Sequence, residues 1–239
     1  MAAITHHGGD HHNEALHHQY EDIEQQNESY IVGMWTFLVT EVMFFGALFF
    51  TYSLYRFAYQ LDFWKAHNQL DWQLGGINTF NLLLSSFFMV MAVYNAQMHR
   101  RKGVLIWLSL VQVCAAIFMV IKYIEYTGKI NHGLFPGIGF INDPSHLQGA
   151  NLNHAQLFYG LYFGMTGLHG VHVVAGILVI GALMMFWYKN NRLVTKDFIP
   201  TELVGLYWHF VDLVWIFLFP LFYLMPSPAP HITNLLGGH

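Results

Sequence analysis

The sequence predicts an all-α integral membrane protein, built as a bundle of five transmembrane helices. Of its 239 residues, 55% are hydrophobic and only 10% carry charged side chains, and the mean hydropathy is +0.37. This composition is atypical of a soluble globular domain. The apolar stretches also lack the alternation of polar and apolar residues that barrel strands show in a membrane, so the predicted spanning elements are helices.

Five apolar stretches are long enough to cross the hydrocarbon core of a bilayer, which takes about 20 helical residues. They lie at approximately 30–57, 79–98, 103–126, 155–188 and 203–225. Together they form the predicted membrane domain, 30–225, in which every backbone amide is satisfied inside its own helix.

Composition also excludes two kinds of site. The formal net charge of −4 provides no basic stripe, so no nucleic-acid partner is expected. The chain has a single cysteine, Cys114, which excludes an internal disulfide and any metal site built from paired cysteines.

A polar segment, 1–29, precedes the first predicted helix and contains neither Lys nor Arg. It lacks the apolar core of a secretory signal peptide, and we expect a disordered tail on the cytoplasmic side. The alternative is weak, unselective metal binding by its paired histidines, which are His6, His7, His11, His12, His17 and His18. After the last helix, 226–239 is expected to form a short external tail.

Two connections between the predicted helices carry clusters of basic residues. These are Arg100, Arg101 and Lys102 in the second connection, and Lys189, Arg192 and Lys196 in the fourth. Cytoplasmic loops are enriched in Lys and Arg, so we expect the N-terminus in the cytoplasm and the C-terminus outside. Connections 58–78 and 127–154 then lie outside, and the length and glycine content of 127–154 are typical of a loop that packs on a partner.

Glu41 lies within TFLVTEVMFFGALFF, residues 36–50, near the centre of the first helix. A rise of about 1.5 Å per residue, counted from Tyr30, brings it close to the bilayer midplane. Ionisable groups at that depth are costly and often functional. The residues alone leave two interpretations open: a carboxyl hydrogen-bonded to a neighbouring helix, or a member of a proton path or lipid-headgroup contact.

The fourth and fifth helices carry a second set of polar residues. His169 and His172 are three residues apart, as are His209 and Asp212, and residues at that spacing share a helix face. Imidazoles and a carboxylate are metal ligands, so a metal site is one interpretation. An interhelical hydrogen-bond cluster, in which Asp212 fixes a histidine tautomer, is the other.

Two further patterns favour structural roles. Lys122 and Glu125 are placed to form an ion pair near the outer interface. Glycines recur at steps of three and four residues in the fourth helix, which allows another helix to approach closely. They are Gly160, Gly164, Gly167 and Gly170.

Taken together, these segments resemble the subunit III family of haem–copper terminal oxidases, the cytochrome c oxidase and quinol oxidase group. The resemblance is carried by GMWTFLVTEVMFFGALFF (33–50), FYGLYFGMTGLHGVHVVAG (158–176) and GLYWHFVDLVWIFLFPLFYL (205–224), with GGINTFNLLLSS (75–86) and IKYIEYT (121–127) in the remaining helices. It covers about residues 30 to 225.

The resemblance implies an accessory, non-redox subunit of a proton-pumping oxidase that reduces oxygen to water in aerobic respiration. It implies no haem or copper in this chain, so His169, His172, His209 and Asp212 become structural or interfacial. Glu41 matches the family's carbodiimide-reactive carboxylate, which lies beside bound phospholipid and near the proton-uptake route of the catalytic subunit. Its implied role is to hold lipid and tune proton entry.

Longer members of the family have seven helices, and 1–29 is too polar to supply the first two. The chain therefore resembles the five-helix bacterial form, in which the missing pair is often fused to subunit I. The expected partners are a long subunit I, subunit II and phospholipid, at the bacterial cytoplasmic membrane. Membership of a larger respiratory assembly through 127–154 is left open by the sequence.

Alternatives from other classes remain open at this point. One is a stand-alone proton-coupled transporter or channel that uses Glu41 and the histidines. Another is a redox enzyme with its own metal. A third is a subunit III-like protein of a quinol oxidase or a nitric oxide reductase, since the electron donor does not bind this subunit.

Overall fold

The computed structural model describes residues 23–137, 140, 147, 149–190 and 198–227. Within these ranges the chain forms six α-helices, without strands. They are α1 (Ile23–Ala58), α2 (Gln60–His67), α3 (Trp72–Gln97), α4 (Arg101–Asn131), α5 (Leu152–Tyr188) and α6 (Ile199–Tyr223). All except α2 are long and apolar enough to cross a membrane, five helices in total. The predicted all-α bundle of five spanning helices is confirmed.

Several element boundaries differ from the predictions. Helix α1 begins at Ile23, so residues 23–29, expected in the tail, are helical. Residues 1–22 and 228–239, which hold most of both predicted tails, lie outside the described residues. Helix α4 continues to Asn131, which shortens the predicted connection 127–154.

The predicted connection 58–78 contains the short helix α2, and α3 begins at Trp72 instead of at position 79. Hydropathy does not reveal α2, because its sequence QLDFWKAH mixes charged and apolar residues. Packing explains it, since Phe63 and Ala66 are fully buried in the core.

Helix α3 contacts both α4 and α6, and α5 contacts the same two helices. The first helix is peripheral: within the chain, 11% of its apolar window is buried, compared with 44% for α6. Large apolar side chains along α1, among them Val32, Met43 and Phe50, are therefore exposed. Such a face requires lipid or another apolar surface against it.

Two tryptophans fix the register of α6 against α3. The indole of Trp208 donates to Ser85 Oγ at 3.1 Å, and the indole of Trp215 donates to Thr79 Oγ1 at 3.0 Å. Gly176 of α5 makes room for Trp208, because a Cβ there would lie 2.6 Å from the indole ring. These contacts hold α3, α5 and α6 as one packed unit.

Candidate functional site

Glu41 has a specific partner on another helix. Its Oε2 lies 3.1 Å from Nε2 of His172 on α5, and the two side chains are 20% and 18% exposed, respectively. The other ring nitrogen of His172, Nδ1, lies 2.9 Å from the backbone oxygen of Leu168. The pair joins the peripheral helix α1 to the packed helices of the bundle.

The two contacts of His172 determine where its protons lie. A carbonyl oxygen only accepts hydrogen bonds, so Nδ1 carries a hydrogen and donates it to Leu168. Nε2 then faces the carboxyl of Glu41, and the hydrogen of this contact lies on one of the two groups.

Aromatic side chains surround this pair. The ring of His172 packs edge-on against Phe45, with centroids 5.2 Å apart, and the hydroxyl of Tyr207 donates to the backbone oxygen of His172 at 3.0 Å. These contacts hold the imidazole in place while part of the pair stays accessible from outside the chain. The pair is therefore partly exposed at the side of the bundle.

Lys122 and Glu125 lie 2.9 Å apart, and their side chains are only 8% and 2% exposed. Lys129 lies 3.5 Å from the same carboxylate. Glu125 Oε1 also accepts hydrogen bonds from the hydroxyls of Tyr162 and Tyr223, at 2.8 and 2.7 Å. The pair is therefore the centre of a buried network that joins α4, α5 and α6.

Every charge in this network has a close partner. Lys122 also donates to Tyr223 at 2.8 Å and lies 4.6 Å from the ring centroid of Trp215. Buried ions are tolerated when they are paired and hydrogen-bonded in this way. The sequence pattern identified Lys122 and Glu125 but missed Lys129, although its position four residues after Glu125 was a usable signal.

The four predicted polar residues of α5 and α6 occupy separate environments. His172 pairs with Glu41, and His209 Nδ1 lies 2.7 Å from Ser86 Oγ. His169 is enclosed by aromatic rings, and neither its nitrogens nor the oxygens of Asp212 have a hydrogen-bond partner in the described part of the chain. No direct hydrogen bond therefore joins two of these four side chains in that part of the chain.

In the part of the chain that the structure describes, no group of three or more His, Cys, Asp or Glu side chains is placed to hold a metal ion.

The predicted glycine stripe is open in this chain. Positions 160, 164 and 170 have no neighbouring atom within 4 Å of where a Cβ would lie, and Gly167 has only the hydroxyl of Tyr126, at 3.9 Å. Gly167 and Gly170 line an apolar groove of about 370 Å³ between α4 and α5.

Comparison with known proteins identifies a family. The family model described as cytochrome c oxidase subunit III matches residues 9–227. The quinol oxidase subunit 3 of Bacillus spizizenii is 31% identical over 82% of this chain and 86% of its own length. The cytochrome c oxidase subunit 3 of Synechocystis is 29% identical over 87% of this chain and 78% of its own length. The cytochrome bo(3) ubiquinol oxidase subunit 3 of Pseudomonas putida is 26% identical, over 82% and 85%.

Proposed function

Because the chain belongs to the cytochrome c oxidase subunit III family, we propose that it supports assembly, lipid retention and proton uptake in a haem–copper terminal oxidase. As a member of this family it is an accessory subunit of such an oxidase, and so part of an oxidoreductase complex. With its five spanning helices it is a multi-pass membrane protein. We assign haem and copper to subunits I and II and none to this chain.

The observation that carries the proposal is the contact between Glu41 and His172, at 3.1 Å. The proposed proton uptake takes place at the side of the bundle, where both side chains are partly exposed. A carboxyl in that position is placed to accept a proton and pass it to the entrance of a neighbouring subunit. It is not placed to form a proton channel through this chain, because neither Glu41 nor His172 is hydrogen-bonded to His169, His209 or Asp212.

The exposed face of α1 supports the proposed lipid and subunit contacts. Its large apolar side chains have no cover within the chain, and a hydrocarbon or protein surface would cover them. A phospholipid there would bring its headgroup region and tails against a helix that also carries Glu41. Subunit I, with extra helices of its own, is the proposed protein partner on this side.

The proposed topology follows the basic residues. Arg100, Arg101 and Lys102 lie at the connection between α3 and α4, and we place this connection in the cytoplasm. The N-terminus then lies on the same side and the C-terminus outside, in a bacterial cytoplasmic membrane. The named relatives include both quinol and cytochrome c oxidases, so the proposal concerns their shared oxygen chemistry and assigns no electron donor.

The test replaces Glu41 in the intact complex, purified through a tag on this chain in mild detergent. Glu41→Gln should leave the haem content unchanged, as read from the reduced-minus-oxidised spectrum, while oxygen consumption declines faster during sustained turnover. Glu28→Gln, an exposed carboxylate of the same helix, is the matched control and should behave as the unmodified protein.

Three outcomes would contradict the proposal. Loss of the haem-containing subunits from the Glu41→Gln preparation would make Glu41 a structural residue. Turnover that declines at the unmodified rate would remove its role in proton supply. Purification of the chain without any haem, together with proton transport by the chain alone in liposomes, would favour a stand-alone transporter.

A further inference from the structure

A groove of about 410 Å³ runs between α3 and α6 and has no role in the proposed function. Gln97, the last residue of α3, and Glu202, in the first turn of α6, both line it, and the amide of Gln97 donates to Glu202 Oε1 at 2.6 Å. His209 lines the groove two turns further along α6, about 10 Å deeper along the helix axis. The groove therefore leads from a partly exposed carboxylate at the helix ends to an imidazole inside the spanning region.

The imidazole of His209 is held at the inner part of the groove by Ser86 of α3. Its Nδ1 lies 2.7 Å from Ser86 Oγ. The same hydroxyl lies beside the carboxyl of Asp212, close enough for a hydrogen bond between these two side chains when the hydroxyl turns toward it. His209 and Asp212 are three residues apart and so share a face of α6. Ser86 therefore connects the groove to a carboxyl that is only 3% exposed.

A serine hydroxyl next to both groups can pass a proton from one to the other. It has one hydrogen and two lone pairs, so it can accept a hydrogen bond from an imidazolium while its own hydrogen is directed at a carboxylate. An imidazole takes up a proton at one ring nitrogen and can release another from the second. A charged carboxylate is costly in the interior of a bundle, and protonation removes that charge, which favours transfer of the proton to Asp212.

We propose that Asp212 takes up and releases protons through this groove, with His209 and Ser86 as the relay. Glu202 is the carboxylate at the entrance. A proton that reaches Nε2 of His209 makes the ring an imidazolium. The hydrogen on Nδ1 then moves to Ser86 Oγ while the hydrogen of the serine hydroxyl moves to Asp212, so the carboxylate becomes a carboxylic acid and the ring becomes neutral. One proton is transferred, and release follows the same steps in reverse.

The other helices packed on Asp212 offer no continuation of this relay. On α4, the thiol of Cys114 lies near the carboxyl, but a thiol is only a weak donor and acceptor. On α5, within the described residues, His169 makes no hydrogen bond to it. The relay therefore ends at Asp212 and shares no residue with the contact between Glu41 and His172, so the two can be tested independently.

The test follows hydrogen–deuterium exchange of the Asp212 carboxyl by infrared spectroscopy of the intact complex. The carbonyl band of a protonated carboxyl shifts when its hydrogen is replaced by deuterium, and the band that is lost in Asp212→Asn belongs to this residue. In the unmodified complex the band should shift on transfer to heavy water. Ser86→Ala removes the relay hydroxyl and should slow the shift by about 100-fold or more, as expected for loss of a positioned proton-transfer group.

Ser85→Ala is the matched control. Ser85 is the neighbouring serine of α3, but its hydroxyl donates to the backbone oxygen of Leu82 at 2.8 Å and accepts from the indole of Trp208 at 3.1 Å. Its replacement should leave the exchange rate of the Asp212 carboxyl unchanged. Equal slowing in the two alanine variants would show that packing, and not the relay, controls the exchange, and would overturn the proposal.

A second variant fills the groove and leaves the relay residues in place. Leu206 lines the groove and is 36% exposed, so Leu206→Trp adds bulk there without entering the core, and it should also slow the exchange. Leu213→Trp, at an exposed position two turns further along α6, is its control and should not.

Three results would contradict the proposal. Exchange at the unmodified rate in Ser86→Ala would overturn the relay, and the same result in Leu206→Trp would overturn the role of the groove. The absence of a band that depends on Asp212 between about pH 5 and about pH 9 would show that this carboxylate takes up no proton.

Discussion

Nε2 of His172 lies 3.1 Å from Oε2 of Glu41, although the two residues are 131 positions apart in the sequence. The carboxyl near the middle of an apolar helix is therefore neither isolated nor part of a continuous polar path. It contacts an imidazole whose other nitrogen is fixed by the backbone oxygen of Leu168. The same contact attaches α1, the least buried spanning helix, to α5.

Loss of either partner should affect turnover in the same way. We expect His172→Gln to accelerate the decline of oxygen consumption as Glu41→Gln does, because each variant removes one partner of the contact between the carboxyl and the imidazole. The double variant should be no worse than either single variant, since the two residues act as one unit. Rates of decline in the four preparations measure this coupling, and additive effects would show that the residues act independently.

Glu125→Gln should strongly destabilise the subunit. The change leaves Lys122 and Lys129 buried without their counter-charge, and breaking a buried ion pair in this way costs about 3–5 kcal/mol. The amount of subunit retained in the purified complex and its thermal midpoint should both fall. Glu28→Gln, at an exposed position of α1, should leave both unchanged.

Replacing all three charged residues of the network should destabilise the subunit less than replacing Glu125 alone. Lys122→Met, Glu125→Leu and Lys129→Met combined leave no unpaired buried ion, and apolar replacements of buried ion networks are often neutral. We expect the triple variant to accumulate better than Glu125→Gln. Equal loss of both would indicate that the tyrosine hydrogen bonds, and not the charges, hold these helices together.

The spanning helices could be predicted because hydropathy and length determine them, and the resemblance to subunit III was visible in short motifs. The side-chain contacts between different helices could not be predicted. Helix periodicity pairs Lys122 with Glu125 but gives no reason to add Tyr162 and Tyr223, which come from two other helices. Similarly, the spacing of His169 and His172 suggested one cluster, yet their side chains meet Trp215 and Glu41, respectively.

Gly176→Ala should destabilise the bundle through a steric contact. A Cβ at this position would lie 2.6 Å from the indole of Trp208, and Trp208 is fully buried, so the ring cannot move aside freely. Overpacking of this kind costs about 1–3 kcal/mol. The thermal midpoint of the subunit measures it.

Gly181→Ala, on the same helix, is the control for this substitution. Its nearest neighbour, the amide nitrogen of Gln112, would be 3.7 Å from the new Cβ, an ordinary van der Waals distance. We expect no loss of stability, because alanine also favours helix more than glycine does. Equal midpoints for the two alanine variants would argue against the close packing of Gly176 on Trp208.

The docking of α2 on α6 should weaken at low pH through His67, which lies outside the spanning helices. Its Nδ1 donates to the backbone oxygen of Phe222 at 2.8 Å, and burial, with a smaller contribution from nearby Arg56, lowers the pKa of this imidazole below 6.5. A lowered pKa means that folding favours the neutral ring. This contribution to stability is present above the unfolded pKa of His67 and is lost as the pH falls through its folded pKa. When the pH is lowered from about 8 to about 5, we expect the thermal midpoint of the subunit to fall less in His67→Gln than in the unmodified protein. Glutamine keeps a hydrogen-bond donor but cannot titrate. An identical pH dependence in both proteins would show that His67 does not contribute.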